Sequence, residues 1–118
     1  MPGGGGEFLP AAEYPGTHAA LMQCTAPASE CHFLHSFTLG RPAAVAILHF
    51  ASRDRYEIHA NGQLVAGRSQ CAAAFVEEEH RLTRYLRPGL NSIAIWAGAC
   101  EQAPHGVFVE MCVIQASP

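Results

Sequence analysis

Trp96 is the only tryptophan of the chain. It stands in an alternating segment that puts Ile93 and Ile95 on one face and Ala94 and Trp96 on the other. On an open sheet face an indole offers a flat apolar surface with one N–H donor, which suits the C–H face of a sugar ring; on a closed face it is a core residue. Arg53, Asp54 and Arg55 form a charged connection between two apolar segments. Guanidinium and carboxylate groups make directed, charge-assisted hydrogen bonds, so this triplet is a second candidate for contact with hydroxyls. The alternative is a surface ion pair that fixes the loop and contributes little energy. His49 and His59 add polar groups to a sheet face, or are simply exposed strand positions. Glu110 interrupts an otherwise apolar face and borders a pocket or a rim.

Other chemistries find less support. Glycoside hydrolysis needs two carboxyls about 5 to 9.5 Å apart across a cleft, whereas Glu77, Glu78 and Glu79 are adjacent and read as a solvated polar edge. There is no nucleophile elbow and no phosphate-binding glycine loop. Seven histidines raise the question of a metal. The most suggestive group is Cys31, His32 and His35, but in a strand His32 and His35 differ in parity and point to opposite faces. No C-x-x-C pair supplies structural zinc spacing. We therefore expect no catalytic residue and no metal ligand.

These side chains must be carried by strands. Phe33, His35, Phe37 and Leu39 share a face, and Ala44 to Ala51 is an apolar run short enough for a strand buried on both faces. Tyr56, Ile58 and Ala60 alternate with Glu57 and His59, and Asn61-Gly62 follows, the strongest short-range hairpin signal. Cys71 to Val76 reads as a further strand, and Arg87 to Asn91 as a turn. Ser92 to Ala97 and Val107 to Ile114 alternate again, the latter with Val107, Val109, Met111 and Val113 on one face. Such spacing, with almost no helical periodicity, predicts an all-β fold: an antiparallel β-sandwich of about seven to nine strands. Residues 1–20, rich in Gly, Pro and Ala, read as a flexible leader, and residues 21–118 as one β-sandwich domain.

Composition agrees with one compact domain. Of 118 residues, 49 % are hydrophobic and 14 % charged, which excludes a disordered chain. The seven basic residues are all arginine and are scattered, and the formal net charge is -3, so phosphate neutralisation on a nucleic acid has little to work with. No apolar run approaches the ~18 residues of a membrane span, and residues 1–10 carry neither the basic nor the apolar region of a signal peptide. Five cysteines cannot all pair within one chain. Cys24 and Cys31 are close enough in sequence to close a short loop, Cys112 reads as a buried thiol, and the presence of any disulfide stays open.

Three segments carry a resemblance: Phe33 to Leu39, Ala51 to Gly62 and Leu82 to Ile95. Asp54, Tyr56, Asn61 and Gly62 match a strand-to-hairpin pattern, and Thr83, Leu86, Gly89, Asn91, Ile93 and Ala94 match a later corner. Together they resemble the galactose-binding-like jelly-roll domains attached to glycoside hydrolases, such as the sugar-binding domains of family 2 β-galactosidases and the accessory domains of α-L-rhamnosidases. That family often carries an arginine in the first strand, where this chain has Leu34. The resemblance implies a jelly roll in which Asn61, Gly62, Gly89 and Asn91 are structural turn residues. It implies a non-catalytic carbohydrate-binding module accessory to a glycoside hydrolase, with Trp96, Arg53, Asp54, Arg55, His49 and Glu110 as contact candidates. The alternative is a structural domain that packs in a larger enzyme or complex without binding sugar. The expected partner is accordingly a carbohydrate or a larger protein, in an extracellular or periplasmic setting. No cofactor is expected beyond a structural calcium, which relatives of this fold hold and no residue pattern here marks.

Overall fold

A computed structural model describes residues 6–10, 17–24, 30–100 and 106–117, with side chains described for residues 30–100 and 107–117. The described strands are β1 (Gly6–Pro10), β2 (Thr17–Cys24), β3 (Glu30–Leu39), β4 (Ala43–Ser52), β5 (Arg55–Ala60), β6 (Gln63–Arg68), β7 (Val76–Arg81), β8 (Gly89–Gly98) and β9 (Gly106–Gln115). They form a five-stranded sheet in the order β1-β2-β9-β4-β7 and a four-stranded sheet in the order β3-β8-β5-β6. Every pairing is antiparallel. The two sheets stack as a jelly-roll β-sandwich.

Period-two alternation decides which side chains meet between the sheets. Phe33, Tyr56, Ile58, Ile93, Ile95 and Ala97 face inward from the four-stranded sheet, and Ala46, Leu48, Phe50, Val107, Val109 and Met111 from the five-stranded one. Removing each large side chain of this set from water is worth about 1.5–3 kcal/mol. The alternating segments read from sequence are therefore strands with the expected inner faces. The Asn61-Gly62 hairpin is present, with φ of 50° and 80° at its two central residues, the positive pair that a type I′ turn requires.

Five expectations need correction. Residues 1–20 are not all leader: β1 lies within them and β2 begins there, because β9 has an edge that β2 pairs and β2 has one that β1 pairs. The apolar run of β4 closes on one face only; Ala46, Leu48 and Phe50 are buried while Ala44 and His49 are exposed, since among the described residues no third layer covers the outside of this sheet. Residues 71–75 form no strand. They run between β6 in one sheet and β7 in the other, and a Cys71–Cys100 disulfide ties them to the end of β8. Cys31 is disulfide-bonded too, whereas the Cys24 side chain lies outside the described residues. Cys112 keeps its thiol, half-buried on the outer face of β9 rather than in the core.

Glu77 to Glu79 is the fifth. The triplet is part of β7, so its members alternate. Glu77 and Glu79 point out, and Glu78 points in, where it accepts hydrogen bonds from the Tyr56 hydroxyl and from Arg68 Nη1 (3.2 Å), with His80 Nε2 at 3.0 Å. Arg68 lies over the Tyr56 ring, its guanidinium carbon 5.0 Å from the centroid. Since β6 and β7 are edge strands of different sheets, this network laces one open side of the sandwich. Burial first, then the hydrogen bond to Glu78 and its negative charge, push the Tyr56 phenol far above its ordinary range, with Arg68 opposing them.

Candidate functional site

Trp96 lies on the outer face of the four-stranded sheet, half-exposed, where β8 is flanked by β3 and β5. Register builds the surroundings. One row across the sheet is His32, Trp96 and Glu57; the next is Leu34, Ala94 and His59; on the other side comes Glu30, Gly98 and Arg55. Trp96 is thus the central aromatic of a three-by-three patch whose polar members come from the two neighbouring strands.

The indole is held down rather than standing free. A Cβ built on Gly98 would come within 2.9 Å of Trp96 Cη2 and 2.9 Å of Arg55 Nη2, so the ring lies back over a residue that must lack a side chain. Trp96 Nε1 donates to Glu30 Oε2 at 3.1 Å, and the Arg55 guanidinium carbon is 5.7 Å from the ring centroid. Glu57 Oε1 and His59 Nε2 are 3.0 Å apart. A shallow depression of about 590 Å³ opens here, lined by Trp96, Leu34, His32, Glu57 and His59 over Ala94. Leu34 is 65 % exposed and forms an apolar lip. The arrangement offers one flat aromatic surface, an apolar border, a carboxylate that accepts hydrogen bonds and imidazoles that donate or accept them.

The six contact candidates read from sequence do not converge. Trp96 and Arg55 belong to this patch. His49 and Glu110 are cross-strand neighbours on the outer face of the other sheet, where His49 Nε2 lies 3.8 Å from Glu79 Oε1. Arg53 and Asp54 occupy the β4–β5 connection. Asp54 is 1 % exposed, buried within the connection rather than on its surface. The connection is clamped from above: Arg68 donates to the carbonyl oxygens of Ser52 and Asp54 at 2.8 Å each, the Asp54 amide donates to Ser52 Oγ at 3.0 Å, and Ala72 N donates to Arg53 O at 2.9 Å. His32 and His35 do point to opposite sides of β3. Among the described residues no three His, Cys, Asp or Glu side chains form a metal-binding group.

Glu30, Glu57 and Gly98 were not singled out in the sequence, and His32 was weighed there only as a metal ligand. Their signal is parity: each shares the outward phase of its strand with Trp96, which becomes visible only once β3, β8 and β5 are placed side by side. A second depression, about 540 Å³, opens on the β6–β7 side and is lined by Val65, His80, Arg81, Thr83, Arg84 and Tyr85, with Arg84 Nη2 donating to the Tyr85 hydroxyl at 2.7 Å.

No protein-family model matches the sequence, and no curated protein is similar to it. Solved structures are similar in fold. An α-L-rhamnosidase from Dictyoglumus thermophilum superposes with a TM-score of 0.61 at 16 % identity, covering 93 % of this chain and 13 % of that one. The fold is that of a small β-sandwich part of large glycoside hydrolases. A glycosyl hydrolase family 2 member from Bacteroides cellulosilyticus gives a TM-score of 0.59 at 15 % identity over 74 % of this chain and 13 % of its own. The Streptomyces avermitilis α-L-rhamnosidase gives 0.60 at 16 % identity, over 92 % and 10 %. This jelly roll thus spans about an eighth of the glycoside hydrolase chains of the first two matches and shares the fold of that part of them.

Proposed function

We propose that this domain is a non-catalytic carbohydrate-binding module accessory to a glycoside hydrolase, and that sugar stacks on Trp96. The observation that supports it is the Trp96 patch itself. A half-exposed indole is laid over Gly98 and oriented by Glu30, with Glu57, His32 and His59 arranged around it to meet hydroxyls. Stacking an aliphatic ring face on an aromatic needs an immobile platform, and the Glu30 hydrogen bond removes rotamer freedom before any ligand arrives. A glycan-array screen of the folded domain, followed by titration of each hit against wild type and Trp96→Ala, tests it. Binding that falls at least tenfold in the variant is expected, and silence of a folded sample across the array would sink the reading.

A second reading, packing in a larger enzyme without sugar, is favoured by the opposite face. On β9 Phe108 and Ile114 are 47 % and 55 % exposed, and their cross-strand neighbours Ala51 and Val45 on β4 are apolar too. Exposed apolar surface of this kind marks interaction faces, and the partner that fits it is the remainder of a glycoside hydrolase chain. The two readings use different sheets and do not compete for residues.

A further inference from the structure

The Trp96 depression has an asymmetric charge. Among the described residues that line it, Glu57 is the one side chain with a fixed charge, and it is negative; neither lysine nor arginine is present. Glu57 is exposed, with its carboxylate against His59. Arg55 lies one row away, on the row it shares with Glu30 across Gly98, and its guanidinium rests near the indole. A carboxylate on an incoming sugar would therefore meet Glu57 without a facing guanidinium fork of the kind that recognises carboxylates. Hydroxyl groups would meet an acceptor that strengthens their hydrogen bonds.

We infer that this site selects neutral saccharides and rejects uronic acids, with Glu57 as the residue that sets the selection. The inference rests on the carbohydrate-binding reading given above. Two features do the discriminating: Trp96 and Leu34 supply the apolar surface common to all pyranoses, and Glu57 separates them by charge through a like-charge contact. The repulsion acts through solvent, so salt weakens it.

The test uses matched oligosaccharides of equal length, neutral and oxidised to the acid at C6: glucose with glucuronate, galactose with galacturonate, mannose with mannuronate. Each pair is titrated against wild type, Glu57→Gln and Trp96→Ala at low salt and in 1 M salt. Glu57 is exposed on the outer face of β5, so Glu57→Gln is expected to fold normally. The expected result is that the acid of the bound pair binds about tenfold more weakly than its neutral partner, one unit-charge repulsion near a protein surface. That gap should close in Glu57→Gln and shrink in high salt. A uronate that binds wild type as tightly as its neutral partner, and loses binding in Trp96→Ala, would overturn the selectivity while leaving the carbohydrate reading intact. A gap unchanged by Glu57→Gln would overturn the role of Glu57. Absence of binding by every pair would remove the carbohydrate reading and this inference together.

Discussion

Asn61 Nδ2 donates to Asn91 Oδ1 at 2.9 Å, joining the hairpin turn after β5 to the corner that opens β8. These turns are thirty residues apart in sequence and each fills its remaining bonds from the other's surroundings. Asn61 also donates to Tyr85 O at 2.8 Å and accepts from Ser92 N at 2.9 Å. Asn91, fully buried, accepts from Arg87 N at 2.9 Å and donates to Arg87 O and Gly89 O at 2.7 and 3.1 Å. Two motifs that a sequence shows as separate turns are thus one clip.

Asn91→Ala strands several buried backbone groups, each costing about 1–3 kcal/mol, so a loss of about 3 kcal/mol in urea unfolding is expected. Asn61→Ala should cost less, since its turn is half-exposed, with a contribution from its positive φ. The double variant should lose less than the sum, by about 0.5–3 kcal/mol of coupling. Strict additivity would mean that the clip is two independent turns.

Gly98→Ala places a methyl group where the indole and Arg55 now lie. The expected outcome is a displaced Trp96 with a changed emission maximum, weaker sugar binding, and a stability loss of about 1–3 kcal/mol. Because Trp96 is the only tryptophan, its fluorescence reports this site alone. Unchanged emission and affinity would show that the flat position of the ring is not what matters.

Tyr56 fixes an alkaline limit. Its pKa is raised in the folded state, so the folded protein holds the phenolic proton more tightly than the unfolded chain does. The stability this adds is complete below the unfolded value of about 10 and falls as pH rises above it. Tyr56→Phe removes that term, so its stability should decline less steeply than wild type between pH 9.5 and about 11. At pH 7 the variant should be weaker by about 1–3 kcal/mol, because Glu78 loses a donor. Parallel stability curves for the two proteins across the alkaline range would contradict this.

Replacing Cys71 and Cys100 together by serine opens a loop closed across 29 residues of sequence. A loss of about 3 kcal/mol is expected, measured by urea unfolding under non-reducing conditions. The β4–β5 connection should loosen with it, because Ala72 N is bonded to Arg53 O, and this is readable as faster amide exchange at residues 53–55.

Much of the fold was legible because burial on one face imposes a period of two. Val107 to Ile114, Tyr56 to Ala60 and Ile93 to Trp96 each announced a strand and its inward side in this way. Asn61-Gly62 announced its turn through the φ values it permits. Glu78 could not be placed, since three adjacent glutamates show no alternation of hydrophobicity; what draws the middle one inward is a set of donors on β5 and β6. Asp54 is buried in a connection whose carbonyl oxygens Arg68, fourteen residues on, caps from another strand, and a charged triplet does not announce that. The Trp96 surroundings failed at the same step, because cross-strand neighbours require a register that single strands do not state. The strands within residues 1–20 were hidden by Gly and Pro, and depend on an edge offered by β9.

Trp96 and Phe108 look out from opposite sheets. Sheets in a sandwich lie about 10 Å apart, so a ligand on one surface and a partner on the other would never touch. A jelly roll docked through β9 would then display its bound glycan away from the dock, as a tether. For a polymeric substrate with several sites, the gain is in effective concentration: a weak hold at Trp96 would keep the next glycosidic bond near the enzyme at up to about millimolar local levels. Modest affinity would then serve better than tight binding, since a tether must let go as the chain shortens.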